Sequence, residues 1–109
     1  MKCRIVSSSM EPLFQPGDEL ICTPIGKGDE LRRFDLIVFN LGGQPFCHFV
    51  WNVNRASTPL TLTTRSLRNP TCDDHPIRLH HIIGRVSDRR LTAFQKLRVL
   101  WVNLLKGTA

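Results

Sequence analysis

The chain has 109 residues, enough for one domain with a modest core and too few for two cores of ordinary size. Its formal charge of +6 comes from 15 basic against 9 acidic residues, a surplus that favours anionic partners such as nucleic acid or an anionic bilayer surface. No helix-turn-helix pattern and no basic block interleaved with aromatics is present, which argues against nucleic acid. No apolar run reaches the roughly 18 residues of a membrane span, and no leader pattern opens the chain, so the expected location is the cytoplasm or the periphery of a membrane.

In chain order, residues 2–6 alternate polar and apolar and predict a short strand. Ser7-Ser8-Ser9-Met10-Glu11-Pro12 follows. Such a hydroxyl cluster is ordinarily a solvated turn or a helix cap. At a tight exposed turn, however, a base can take the proton of a Ser hydroxyl while nearby N–H groups point at an oxyanion. Pro16-Gly17-Asp18 turns the chain into a second strand at residues 19–23, and Pro24, Gly26 and Gly28 make residues 24–34 a loop. Residues 35–39 form the most apolar, β-prone run and predict a central strand. Gly42-Gly43 is a turn, residues 45–53 the returning strand of a hairpin, and residues 59–64 a Thr-rich strand alternating with Leu. Residues 65–78 read as irregular, and residues 81–86 as the strand that closes the sheet.

The tail differs in kind. Apolar residues at 94, 97, 101 and 104, with 91, 100 and 105 beside them, have helical spacing. Ser87 and Asp88 are both capping residue types, and Asp88 is the expected cap. The chain thus divides into a β domain over 1–87 and an amphipathic basic helix over 88–109. A helix carrying Arg89, Arg90, Lys96, Arg98, Lys106 and Trp101 suits a membrane interface through residues 89–106; it equally suits packing on its own sheet or on a second subunit. Cys3, Cys22, Cys47 and Cys72 are scattered without a CxxC pair and read as reduced, mostly buried thiols. Cys72, Asp73, His75, His80 and His81 match no zinc spacing, so neither a metal nor a cofactor is expected.

Four segments together resemble the type I signal peptidase family, serine proteases that remove leader peptides. Ser7-Ser8-Ser9-Met10-Glu11-Pro12-Leu13 resembles the family's Ser-x-Ser-Met-x-Pro-Thr box, with Pro16-Gly17-Asp18 at the family's distance. Arg33 to Phe39 is similar to its Gly-Asp-Ile-Val-Val-Phe strand, and Cys47-His48-Phe49-Val50 falls on the strand that bears the base. Thr64 to Asp73, then residues 82–86, resemble the closing box and last strand. The resemblance spans residues 4–86, about three quarters of the chain. It departs from the family pattern at Leu13 for Thr, Phe34 for Gly, Phe49 for Arg and Leu67 for the first box aspartate.

The resemblance implies a mainly β fold of coiled antiparallel sheets or a small barrel with one C-terminal α-helix. It implies Ser9 as nucleophile, with the Ser7 side chain and the Ser9 N–H holding the oxyanion. No Lys lies between Lys27 and Lys96, so the base is His48, as in the archaeal and endoplasmic-reticulum version of the family. Imidazole, with an ordinary pKa of about 6.5, suits that role near neutrality. Asp73 is the carboxylate that orients it, with Asp74 as the alternative acid. The substrate implied is a precursor protein or peptide with small residues at −1 and −3. Other readings are a catalytically degenerate relative that binds a peptide or scaffolds a partner, and a self-cleaving regulator.

Overall fold

The computed structural model describes residues 2–4, 10–11, 13–25, 31–56, 60–67, 73 and 76–106. Among these residues, seven strands precede one α-helix: β1 (Lys2–Arg4), β2 (Glu19–Thr23), β3 (Leu36–Leu41), β4 (Gln44–Asn54), β5 (Thr61–Arg65), β6 (Ile77–Arg78), β7 (Ile82–Val86) and α1 (Ala93–Lys106). All pairs are antiparallel, in the order β1-β2-β7-β3-β4-β5-β6. The expected central strand, β3, is the middle one. The last strand does not close the sheet at an edge: β7 inserts between β2 and β3, with Cys22 opposite Val86 and Ile37 opposite Arg85. Within the segment expected to be irregular, Ile77 and Arg78 pair with Leu62 and Thr61, and a 3-10 turn over Leu79–His81 leads into β7.

The β3–β4 hairpin explains itself from two glycines. Gly42 and Gly43 have φ of 59° and 80°, the paired positive values of a mirror-image two-residue turn whose twist matches that of the flanking strands. Leu41 then faces Gln44, and the register carries Ile37 opposite His48. Side chains alternate across β4. Cys47, Phe49 and Trp51 enter one core cluster with Met10, Phe14, Leu20, Leu36 and Val38. Val50 and the half-buried Phe46 enter another, on the opposite face, with Ile37, Phe39, Leu62 and Ile77. A bulge between Val50 and Asn52, opposite Thr64 and Thr63, lets Val50 and Val53 share a face although three residues apart.

The helix begins at another cap than expected. Gln95 N–H donates to Thr92 Oγ1 at 3.1 Å, and Thr92 N–H donates to Gln95 Oε1 at 2.9 Å. This is a reciprocal capping box of the Thr-x-x-Gln type. Asp88 instead accepts from the Ile21 N–H at 3.1 Å and pairs with Arg89 at 3.1 Å, tying the end of β7 to β2.

Phe34 stands at a position with glycine geometry. Its φ is +76°, in the left-handed region that disfavours a side chain. Surrounding hydrogen bonds hold it there: Phe34 N–H to the Val50 carbonyl at 2.7 Å, Val50 N–H to the Asp35 carbonyl at 2.8 Å, and Arg32 N–H to Asp35 Oδ2 at 2.9 Å. The ring compensates by packing 5.9 Å from Phe49 and 6.2 Å, edge-on, from Trp51. Both Phe34→Ala and Phe34→Gly forfeit that packing, but only Gly relieves the backbone. Urea titrations are therefore expected to place the Gly variant about 1 kcal/mol above the Ala variant in stability, reversing the usual order of these residues; an Ala variant as stable as Gly would show that the turn is unstrained.

Candidate active site

β4 delivers His48 to the face that also carries Phe46 and Val50, where Phe39 meets the imidazole edge-on at 5.7 Å and Phe46 lies 6.2 Å away. These rings limit the orientations open to the imidazole, whose side chain is 13% exposed. Asp73, 25 residues further along, reaches the same ring: its Oδ2 lies 2.6 Å from His48 Nδ1. Thr64 on β5 holds Asp73 twice. Thr64 Oγ1 donates to the same Oδ2 at 2.6 Å, and Asp73 N–H donates to the Thr64 carbonyl at 2.8 Å. The expected His48–Asp73 pair is therefore brought together, with the Asp73 side chain 23% exposed.

The electrostatics decide the form of the pair. Burial is the largest single influence on Asp73 and pushes its carboxyl up; the hydrogen bonds from His48 and Thr64, with the charges of His48 and Arg65, together outweigh it. The group titrates below its ordinary value of 3.8, so Asp73 is a carboxylate near neutrality and Nδ1–H of His48 is the donor. In the neutral form of the ring, that tautomer has its lone pair at Nε2.

Ser7, Ser8, Ser9 and Asp74 lie outside the described residues, as do Cys72 and His75. Their neighbour Met10 is fully buried in the first core cluster, and its carbonyl accepts the Leu13 N–H at 2.9 Å. Leu67 packs against that same cluster, on the other face of β4 from His48. Trp51 is core: the Arg33 and Arg65 guanidiniums lie 4.2 and 4.6 Å from its ring centroid, and Arg33 Nε donates to its carbonyl at 2.7 Å.

Sequence reasoning missed Thr64 as the support of Asp73. Its signal was available: in an alternating strand, Thr64 is inward-facing beside Leu62, and a fully buried hydroxyl requires a partner. The described cysteines, Cys3, Cys22 and Cys47, are free thiols. Burial, then contact with Cys3, pushes Cys22 up to about 12, and burial raises Cys47 as well. Neither is poised as a nucleophile.

No family model, curated protein or solved structure matches this chain.

Two outcomes test this description. Because the folded-state value of Asp73 lies below the unfolded one, its carboxylate contributes stability that is present above 3.8 and is lost as pH falls through the folded-state value. Asp73→Asn is expected to cost about 1–2 kcal/mol in urea melts near neutrality, the partial exposure keeping it toward the low end. The difference from the parent chain should shrink as pH is lowered beneath 3.8; a loss that does not change with pH would assign the effect to shape and not to charge. In native protein, Cys22 and Cys47 should resist iodoacetamide at mildly alkaline pH and react only with added denaturant, as read by peptide mass mapping.

Proposed function

We propose that the chain is a serine endopeptidase that cleaves a leader or precursor peptide through an acyl-enzyme. The observation that carries this reading is the His48 Nδ1 to Asp73 Oδ2 contact of 2.6 Å. The two residues that the signal-peptidase resemblance names as base and orienting carboxylate, far apart in sequence, meet in the geometry those roles require. The mainly β sheet with a single C-terminal helix agrees with the same family, and a coiled, small-barrel arrangement of signal-peptidase type belongs to the proposal.

In this reading Ser9 Oγ attacks the scissile carbonyl carbon as His48 Nε2 takes its proton. Asp73 stabilises the imidazolium and keeps the ring in register, itself held by Thr64. The Ser7 side chain and the Ser9 N–H donate to the oxyanion. Collapse of the tetrahedral adduct breaks the C–N bond, and His48 gives its proton to the departing amine. Water then adds to the ester with its proton passing to His48, and the second collapse releases the new carboxyl end and returns the proton to Ser9 Oγ. In this reading the third group is Asp73, whose carboxylate lies against His48.

The test is cleavage of a peptide library with alanine at −1 and −3. Ser9→Ala and His48→Ala are each expected to lower kcat/KM on the order of 1,000-fold or more, and Asp73→Asn by a similar factor with KM little changed. Undiminished cleavage by Ser9→Ala would reject the nucleophile. Binding of library peptides without cleavage by the parent chain would favour the catalytically degenerate relative.

A further inference from the structure

The apolar side of α1 points away from the protein. Leu91 just before it and Val99 within it are buried in the first core cluster, and Gln95, Lys96 and Val102 on that side are half-buried. On the opposite side Phe94 is 75% exposed, Leu104 71%, Leu97 66%, Trp101 61% and Leu100 41%. At 3.6 residues per turn these five form one stripe about 120° wide. Packing of the stripe on its own sheet, one of the sequence expectations, is thereby overturned. Arg98 falls on one edge of the stripe, where a long cationic side chain can reach past an apolar boundary to anionic groups; Lys96, at the other edge, holds its ammonium 5.7 Å from the Phe34 ring. From Arg89 to Lys106 the chain has five cations and no Asp or Glu.

We propose that α1 is a docking element for an anionic membrane surface, lying in its plane with Phe94, Leu97, Trp101 and Leu104 among the headgroups and upper acyl chains. Its 14 residues extend about 21 Å, short of the roughly 30 Å of bilayer hydrocarbon. No helix among the described residues is long and apolar enough to cross a membrane. Charge decides between a bilayer and a second copy of the chain. A two-fold interface through this stripe would set the same acid-free, basic helix against itself, cation facing cation. Anionic phospholipid satisfies stripe and flanks together.

This inference does not rest on the peptidase reading. α1 sits against the first core cluster, while His48 and Asp73 meet on the other face of β4, so helix variants leave that pair untouched. The full-length chain is floated with vesicles of phosphatidylcholine alone and with added phosphatidylglycerol. Binding at least ten-fold tighter to the anionic vesicles is expected, weakening as salt is raised. Trp101 emission should shift to the blue while buried Trp51 stays silent; Trp101→Phe should abolish the shift and keep the binding. Leu97→Ser with Leu104→Ser, folded by near-ultraviolet circular dichroism, should bind at least ten-fold more weakly. Absence of flotation, equal binding to neutral vesicles, or a dimer in sedimentation that this double variant dissolves would overturn the proposal, the last assigning the stripe to a second copy.

Discussion

The architecture depends on β4 being covered on both faces. A strand with Cys47, Phe49 and Trp51 to one side and Phe46, His48 and Val50 to the other must have a core layer on each. That requirement suits the place of β4 beside β3, the middle strand, whose residues Leu36 to Phe39 are all buried. It also explains the bulge after Val50, which returns Val53 to the face of Leu62 at the cost of one unpaired position. An imidazole on such a strand is enclosed by aromatic rings and needs a polar partner, because an unsatisfied buried nitrogen is costly.

Asp73 supplies that partner, and its own burial creates a second demand. A carboxylate moved out of water would take up a proton unless hydrogen bonds and nearby cations favour its charge. His48, Thr64 and Arg65 do so together. The result is a graded arrangement: Thr64 holds Asp73, Asp73 holds Nδ1 of His48, and the opposite edge of the imidazole carries the lone pair when the ring is neutral. The Arg33–Trp51–Arg65 stack lies on the other side of the same strands, so charge and apolar packing are interleaved through the sheet.

Two features depart from the most economical choice of residue. Phe34 occupies a left-handed position that glycine would adopt without strain, and its aromatic contacts offset the backbone cost. The α1 stripe leaves large apolar groups in water, a state that a folded chain tolerates locally but that marks a surface for contact. In the first case packing inside the domain supplies the compensation. In the second the described part of the domain supplies none, since α1 touches the core along its Val99 side.

The sequence by itself determined strands at residues 19–23, 35–39 and 45–53, the last two running over 36–41 and 44–54 in the structure, the glycine turn between them, and the helical period of the tail. Those signals are local: alternation with period two, positive-φ residues at a turn, and apolar spacing of three and four. The contact of His48 with Asp73, 25 residues apart, was expected from the motif resemblance and from no local signal. The helix cap was written locally too, as Thr92 to Gln95, but Asp88 offered an equally acceptable capping residue. Only tertiary structure decided that Asp88 serves β2, that Thr64 holds Asp73, that β7 enters between β2 and β3, and which side of α1 faces the core. Each of these depends on which hydrogen-bonding groups and apolar faces lie within reach after the chain has closed, and separation along the sequence carries no record of that.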